Sequence, residues 1–302
     1  MSKKTTIWLV IATSLVIIGS AIFISAIASV KWDFNKLNTV DYETNTYEIG
    51  EAFNDISITT DIADIILVPS EDENCKVICF EQEQLKHAVG VNDNKLEIKE
   101  VDDRKWYEHI GIFVISSPKI TVYLPKTEYT SLVVKSSTSD ITIPENFAFE
   151  QIEVLNSTGD VTCFASASEH IKMKLSTGSI SIKDISAGVL DLTVSTGRIN
   201  LQNITCKKLI SEGDTGDITM KNVIAEELFS IERSTGDVRM EACDAVDIDI
   251  ETDTGDVSGS LLTDKMFLVE TDTGRVDVPR TDAENQCSIS TDTGDIKITI
   301  KK

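Results

Sequence analysis

Basic side chains are in short supply: 28 lysines and arginines stand against 50 aspartates and glutamates in 302 residues. The first thirty residues hold two lysines and no acid, so the remainder sets 26 basic groups against 50 acidic ones, a balance of −24. A field of that sign repels polyphosphate and anionic headgroups, which argues against nucleic-acid binding, and attracts divalent cations and basic surfaces. Histidine is scarcer still. His87, His109 and His170 occur in unrelated contexts, with no nucleophile motif or zinc spacing beside them, and each reads as a surface residue. The six cysteines, at positions 75, 79, 163, 206, 243 and 287, also lack metal-site spacing with histidine. An exported chain can form disulfides, yet the positions argue otherwise. Cys163 and Cys287 fall where other repeats place Ile, Leu, Val or Phe, as small buried hydrophobes do. Cys75 and Cys79, four apart in an expected strand, share a face but sit too far apart to bridge easily. No catalytic residue, cofactor-binding residue or metal ligand is assigned, and the chain reads as a non-enzyme.

One long uncharged run stands out, the 24 residues from Ile7 to Val30. As a helix it is long enough to cross the roughly 30 Å hydrocarbon core. Lys3 and Lys4 precede it, so the positive-inside tendency places the N-terminus in the cytoplasm and the bulk outside, a bias that Lys31 weakens slightly. Ala26-Ile27-Ala28 resembles a processing site, so a cleaved signal peptide is the alternative. The run is longer than the usual signal core of about 7–15 residues, which favours a retained single-pass anchor.

Beyond residue 150 a Thr-Gly step recurs, usually as Ser/Asp-Thr-Gly-Asp followed by Val or Ile. Its glycines are Gly159, Gly178, Gly197, Gly216, Gly236, Gly255, Gly274 and Gly294, spaced by 19 or 20 residues. A regular period of this size indicates a repeat architecture. Four columns, two and four residues after glycine and five and seven before it, are apolar at 30 of 32 sites, where composition alone would give about 13. The column three after glycine (Thr162, Ser181, Asn200, Thr219, Arg239, Ser258, Asp277, Lys297) holds no apolar residue. Alternation on both sides of a glycine predicts strand, tight turn and strand, each burying one face, with glycine supplying a positive φ.

Several architectures repeat strand and turn. A propeller blade needs roughly 40 residues, and a transmembrane barrel needs an apolar outer band where these columns are polar. The residue before glycine separates a meander from a solenoid, because Thr158, Thr177, Thr196, Thr215, Thr235, Thr254, Thr273 and Thr293 are identical. Rungs stacked roughly 4.8 Å apart superimpose like side chains and let hydroxyls bond along the stack; a meander demands no such identity. The expectation is an all-β β-solenoid, a β-helix-like stack of 19–20-residue repeats behind one N-terminal transmembrane helix.

Ser136 to Ile141 is a degraded copy with Ser139 in the glycine place, and Thr59 to Ile65 is another with Ala63 there, 76 residues earlier. The intervening stretch reads as strands at Lys76 to Phe80, Lys95 to Val101, Ile110 to Ile115 and Ile120 to Leu124, separated by acidic and Gly/Asn turns. A solenoid end must differ from its middle, since it exposes unpaired backbone. The expected organisation is a cytoplasmic tip at 1–6, the anchor or signal peptide at 7–30, a linker at 31–40, a β-rich N-terminal cap region at 41–137 and the repeat solenoid at 138–302. Lys301 and Lys302 are expected to blunt the last edge.

Stacking would also gather acids into columns. Asp253, Asp272 and Asp292 lie two before glycine. Asp160, Asp217, Asp237, Asp256 and Asp295 lie one after it, in a column interrupted by Ser179, Arg198 and Arg275. Two carboxylates about 5 Å apart repel by roughly 1–3 kcal/mol, depending on the local dielectric, so something must offset them. Arg275, expected between Asp256 and Asp295, and the turn N–H groups are the structural candidates; a bound calcium ion is the functional one. The calcium β-roll nonapeptide is absent. Arg233, Arg239, Lys207 and Lys208 read as solvated charge.

The N-terminal apolar segment, the run Ile120-Thr121-Val122-Tyr123-Leu124-Pro125 and the array of Ser-Thr-Gly-Asp-Val/Ile steps together resemble the bacterial putative-adhesin domain family, which includes the LiaG-like envelope proteins. The resemblance covers roughly residues 40–302 and implies an extracytoplasmic β-solenoid, often associated with envelope-stress or regulatory loci, with no established enzymatic activity. The cysteines and the long cap insertion depart from that pattern. The expected role is a membrane-anchored binding or scaffolding ectodomain at the cell envelope, whose partner is an envelope protein or glycan. An accessory sensor for a membrane regulator and a calcium-stabilised stalk are the alternatives, with a polysaccharide-acting enzyme behind them.

Overall fold

The structure is a computed structural model and describes residues 2–29, 41–72, 74–102, 104 and 117–301. The expected linker at 31–40, the strand at Ile110 to Ile115, His109 and Lys302 lie outside those residues. Lys3–Ser29 is one α-helix whose apolar side chains, Trp8, Leu15 and Phe23 among them, are exposed apart from Ile27. It is long and apolar enough to be a membrane span or a signal sequence.

Among the described residues from 42 onward the chain is a β-solenoid. Its parallel ladders run coil to coil with like residues opposed: Ile180–Thr196 pairs with Ile199–Thr215, and that strand with Ile218–Thr235, matching Thr196 to Thr215 to Thr235. The ladder between the first two skips 184/203, 188/207 and 195/214, so each coil has three sides. The Thr-Gly step makes one corner. A second corner falls six residues after glycine, where Asp184, Asn203 and Asn222 adopt φ of 56°, 54° and 51°. Short polar side chains tolerate that left-handed conformation and here also bond upward: Asn203 Nδ2 donates to Asp184 Oδ1 at 2.6 Å, and Asn222 Nδ2 to Asn203 Oδ1 at 3.0 Å.

The alternating columns point inward as the sequence predicts, and Ile180, Ile182, Leu190 and Leu192 of one coil are fully buried over their counterparts in the next. The second side adds inward residues that the period-two reading did not mark, including Ile185, Ile204, Cys206 and Val223. All six cysteines are free and buried. Burial pushes the thiols of Cys75, Cys79, Cys163, Cys206 and Cys287 up to about 12 and that of Cys243 up to about 11, so they behave as apolar filler.

The glycine column has a second cause besides φ. A Cβ on Gly197, where φ is 147°, would collide with the carbonyl oxygen of Gly178 one coil away, and the same clash recurs at every Thr-Gly copy. The corners stack so closely that nothing but hydrogen fits.

At both ends the order of coils in space departs from their order in sequence. Asp247–Thr254 pairs with Gln286–Thr293, which pairs in turn with Met266–Thr273, so the Gly294 coil lies between the Gly255 and Gly274 coils. Val257–Leu261 and Ile296–Ile300 repeat this on the next side. The outermost strand is therefore Met266–Thr273 and not the last one in the chain. The expected role of Lys301 at the final edge is corrected accordingly: its N–H donates to Leu261 O at 2.8 Å, inside the stack. At the other end, Asp55–Thr60 lies between Glu128–Thr138 and Lys95–Asp102, and Asp64–Pro69 pairs with both Ile141–Ile143 and Lys119–Leu124. Beyond that coil the direction reverses. Cys75–Gln82 runs antiparallel to Lys119–Leu124 and to Tyr42–Ile49, and Leu85–Asn92 antiparallel to Lys95–Asp102 through a turn with Asp93 and Asn94 at φ of 47° and 63°.

Candidate functional site

The longest continuous polar feature is the Thr-Gly-Asp corner. Its threonines are exposed and in register from Thr158 to Thr273. The column is joined through the main chain: every glycine N–H but that of the outermost Gly274 donates to the next coil's threonine carbonyl, as Gly178 N does to Thr196 O at 3.0 Å.

A parallel corner leaves one further N–H per coil to be satisfied, that of the residue after glycine. Aspartate at that position solves it. Asp237 N donates to Asp217 Oδ1 at 3.0 Å, Asp256 N to Asp237 Oδ1 at 2.9 Å, and Asp295 N to Asp256 Oδ1 at 2.8 Å. The same bond links Asp64, Asp140, Asp160 and Ser179 at the other end of the stack. The carboxylate column is thus a hydrogen-bonded strut, and its donors offset the like-charge repulsion.

Coil order changes who neighbours whom. Arg275 does not sit between Asp256 and Asp295; those two are adjacent, and Arg275 lies beyond them, its N–H donating to Asp295 Oδ1 at 2.9 Å. Four successive carboxylates (Asp217, Asp237, Asp256, Asp295) are therefore bracketed by Arg198 and Arg275. Arg239 bridges the first two, with Nη1 3.2 Å from Asp217 Oδ2 and Nη2 bonded to Asp237. The Asp237 N–H, reinforced by Arg239, holds the Asp217 carboxyl below its ordinary value. Asp253, Asp292 and Asp272 form a parallel exposed column, stacked in that order.

Arg233, Lys265 with Asp244, and His87 with Glu81 lie buried in the stack, and two of these placements correct sequence expectations. Arg233 is not solvated but buried, opposite Gly213, where a Cβ would strike its guanidinium. Its Nη2 donates to Ser211 Oγ at 2.7 Å and its Nε has no partner, so desolvation lowers its pKa to about 10. Lys265 is buried against Asp244, 2.8 Å from Oδ1, and donates to Ala245 O at 2.5 Å, which ties the outermost C-terminal coil inward.

His87 likewise is not a surface residue: it is 3 % exposed. Its Nδ1 lies 2.7 Å from Glu81 Oε2 and its Nε2 3.0 Å from Thr60 Oγ1, which donates to Glu100 Oε2 at 2.8 Å. Glu81 is fully buried and also receives Asn45 Nδ2 and the His87 N–H, both at 2.7 Å. Alternation in Leu85-Lys86-His87 is the one sequence signal that could have placed this ring inward. His170 remains partly exposed, and Lys208 pairs with Glu227 at 3.2 Å on the surface.

Comparison with known proteins places residues 53–299 on a family model described as Toastrack DUF4097. Among solved structures, the chain is similar to a protein of Bacteroides fragilis described as a putative adhesin, at 15 % identity, 86 % of this chain, 97 % of that one and a TM-score of 0.46. It is also similar to one of Parabacteroides merdae with the same description, at 11 % identity, 85 % and 97 % coverage and a TM-score of 0.48. A protein of Clostridium sporogenes described as a putative cell adhesion protein matches at 9 % identity over 87 % of this chain and all of that one, with a TM-score of 0.23. No curated protein matches the chain.

Proposed function

The chain belongs to the Toastrack DUF4097 family, and from that premise we propose that it is a binding and scaffolding ectodomain at the bacterial cell envelope. In this reading Lys3–Ser29 anchors it in the membrane as a single pass, its N-terminus faces the cytoplasm, and the acidic solenoid stands outside and works by contact, without catalysis. The observation that carries the proposal is the pair of polar columns at and just after the Thr-Gly corner, in register over eight coils. Identical threonines, flanked by a mostly carboxylate column and repeated at the strand spacing, roughly 4.8 Å, favour an extended, repetitive or flat partner, such as a wall glycan or a strand-rich envelope protein, over a small molecule.

Crosslinking in intact cells tests it. The wild-type chain should capture a recurrent envelope component, and Asn200→Lys with Thr219→Lys, both on exposed positions beside the corner, should lose that capture while keeping the wild-type thermal midpoint. Capture that is absent, or unchanged in the double variant, overturns the proposal. A membrane-impermeant amine reagent applied to the same cells should label the solenoid lysines; labelling only after lysis would place the solenoid on the other side.

A further inference from the structure

The polar cluster at the N-terminal end is richer than a hydrogen-bond network needs. Cys79 and Glu81 lie two residues apart on the inward face of Cys75–Gln82, and His87 faces them from Leu85–Asn92. Cys79 Sγ, a Glu81 carboxylate oxygen and a His87 ring nitrogen lie within 4.8 Å of one another, and all three side chains are buried. No other histidine, cysteine and carboxylate group converges in this way among the described residues.

We propose that Cys79, Glu81 and His87 bind one divalent cation of the zinc class, through Sγ, a carboxylate oxygen and Nδ1. A thiolate, an imidazole and a carboxylate together match a borderline-soft metal and do not suit calcium or magnesium, which take oxygen ligands. The surroundings supply what such a histidine ordinarily has. With Nδ1 turned to the ion, Nε2–H donates to Thr60 Oγ1, itself fixed by Glu100, and this chain sets the tautomer and the ring plane. Asn45 and the His87 N–H hold the Glu81 carboxylate in place.

A thiolate and a carboxylate among the three ligands offset the charge of one dication inside the buried cluster, and binding through Sγ displaces the thiol proton.

Cobalt(II) titration of the full chain in detergent micelles, after dialysis against chelator, tests the site. The expected result is a near-ultraviolet thiolate-to-cobalt charge-transfer band with visible bands of tetrahedral type. It should saturate at one equivalent and bleach on zinc addition. Cys79→Ser should abolish the charge-transfer band, while Cys243→Ser leaves it intact. Glu100→Gln, which alters the acceptor of Thr60 and none of the three proposed ligands, should keep the band and weaken zinc binding by about 10–100-fold. Absence of any band from the wild-type chain overturns the proposal without reference to a variant, and so does a band that survives Cys79→Ser.

Discussion

The two ends of the stack solve one problem in opposite ways. At the N-terminal end the chain reverses, and Tyr42–Ile49, Cys75–Gln82 and Leu85–Asn92 close the solenoid with antiparallel strands over a sealed polar cluster. At the C-terminal end the strands stay parallel. There Leu262, Met266, Leu268 and Val276 are 41–50 % exposed, and the inward residues Phe267 and Val269 are only partly covered. Each coil touches only its neighbours, so stability is a local sum and each terminus is settled independently of the other. One end is finished by a change of direction, the other by holding the outermost coil between two covalent connections.

The largest expected effect separates the middle from both ends. Gly197→Ala meets backbone on one side and a φ of 147°, and should cost about 4 kcal/mol in urea denaturation. Gly274→Ala meets the Gly294 carbonyl and the Thr271 hydroxyl in a coil with one neighbour that can give way, and about 1–2 kcal/mol is expected. Gly90→Ala, with open space around it, should be nearly silent. Equal losses at the first two sites would show that the outermost coil is no freer than the interior.

Next come the buried polar groups that staple the ends. His87→Ala leaves Glu81 buried without its ring partner and should cost about 3 kcal/mol; Lys265→Ala, which strands the slightly exposed Asp244, should cost about 2 kcal/mol. Thermal melts of the two variants order them, and a reversed order would mean that the open end depends more on its staple than the closed one does.

Coil order itself makes a smaller, directional prediction. Amides of Met266–Thr273 should exchange with solvent about 10-fold faster than those of Gln286–Thr293, although the latter are nearer the chain terminus. The opposite ranking would contradict the tucked arrangement.

The smallest effect is electrostatic. The Asp217 carboxyl is held below its ordinary value, so the unfolded chain takes up protons before the folded one as pH falls. Its contribution is present above the ordinary aspartate value of about 3.9 and is lost as pH drops through the lower folded one. Asp217→Asn should flatten the acid side of the stability profile slightly, because the group is more than one-third exposed and solvent screens it. An unchanged profile would assign the acid response to other carboxylates.

Much of this was legible before any coordinates. Four inward columns, the threonine line and the glycine corner follow from a 19–20-residue period, because a stacked coil forces identical environments on identical positions. Coil order was not legible, since the Gly274 and Gly294 copies carry the same motif and a period cannot say which lies outside. The stretch from Val278 to Asn285 held the clue: Thr281 and Ala283 stand seven and nine residues after glycine, where interior coils place residues such as Ile204 and Cys206. His87 and Arg233 were misplaced for a related reason. A lone polar residue on an apolar face is read as exposed unless its cross-coil neighbours are known, and Gly213 and Glu81 become neighbours only through the fold.

The tucked final strand limits how such a molecule can be built and lengthened. The tip coil precedes in the chain the layer that joins it to the stack, so Met266–Thr273 meets its partner only when Gln286–Thr293 takes its place beside Asp247–Thr254, much as a keystone goes in after the stones on either side. Copies of the unit can be spliced in or cut out between Gly159 and Gly255 without disturbing either terminus. Anything appended after Ile300 would instead emerge from the flank, one layer short of the tip.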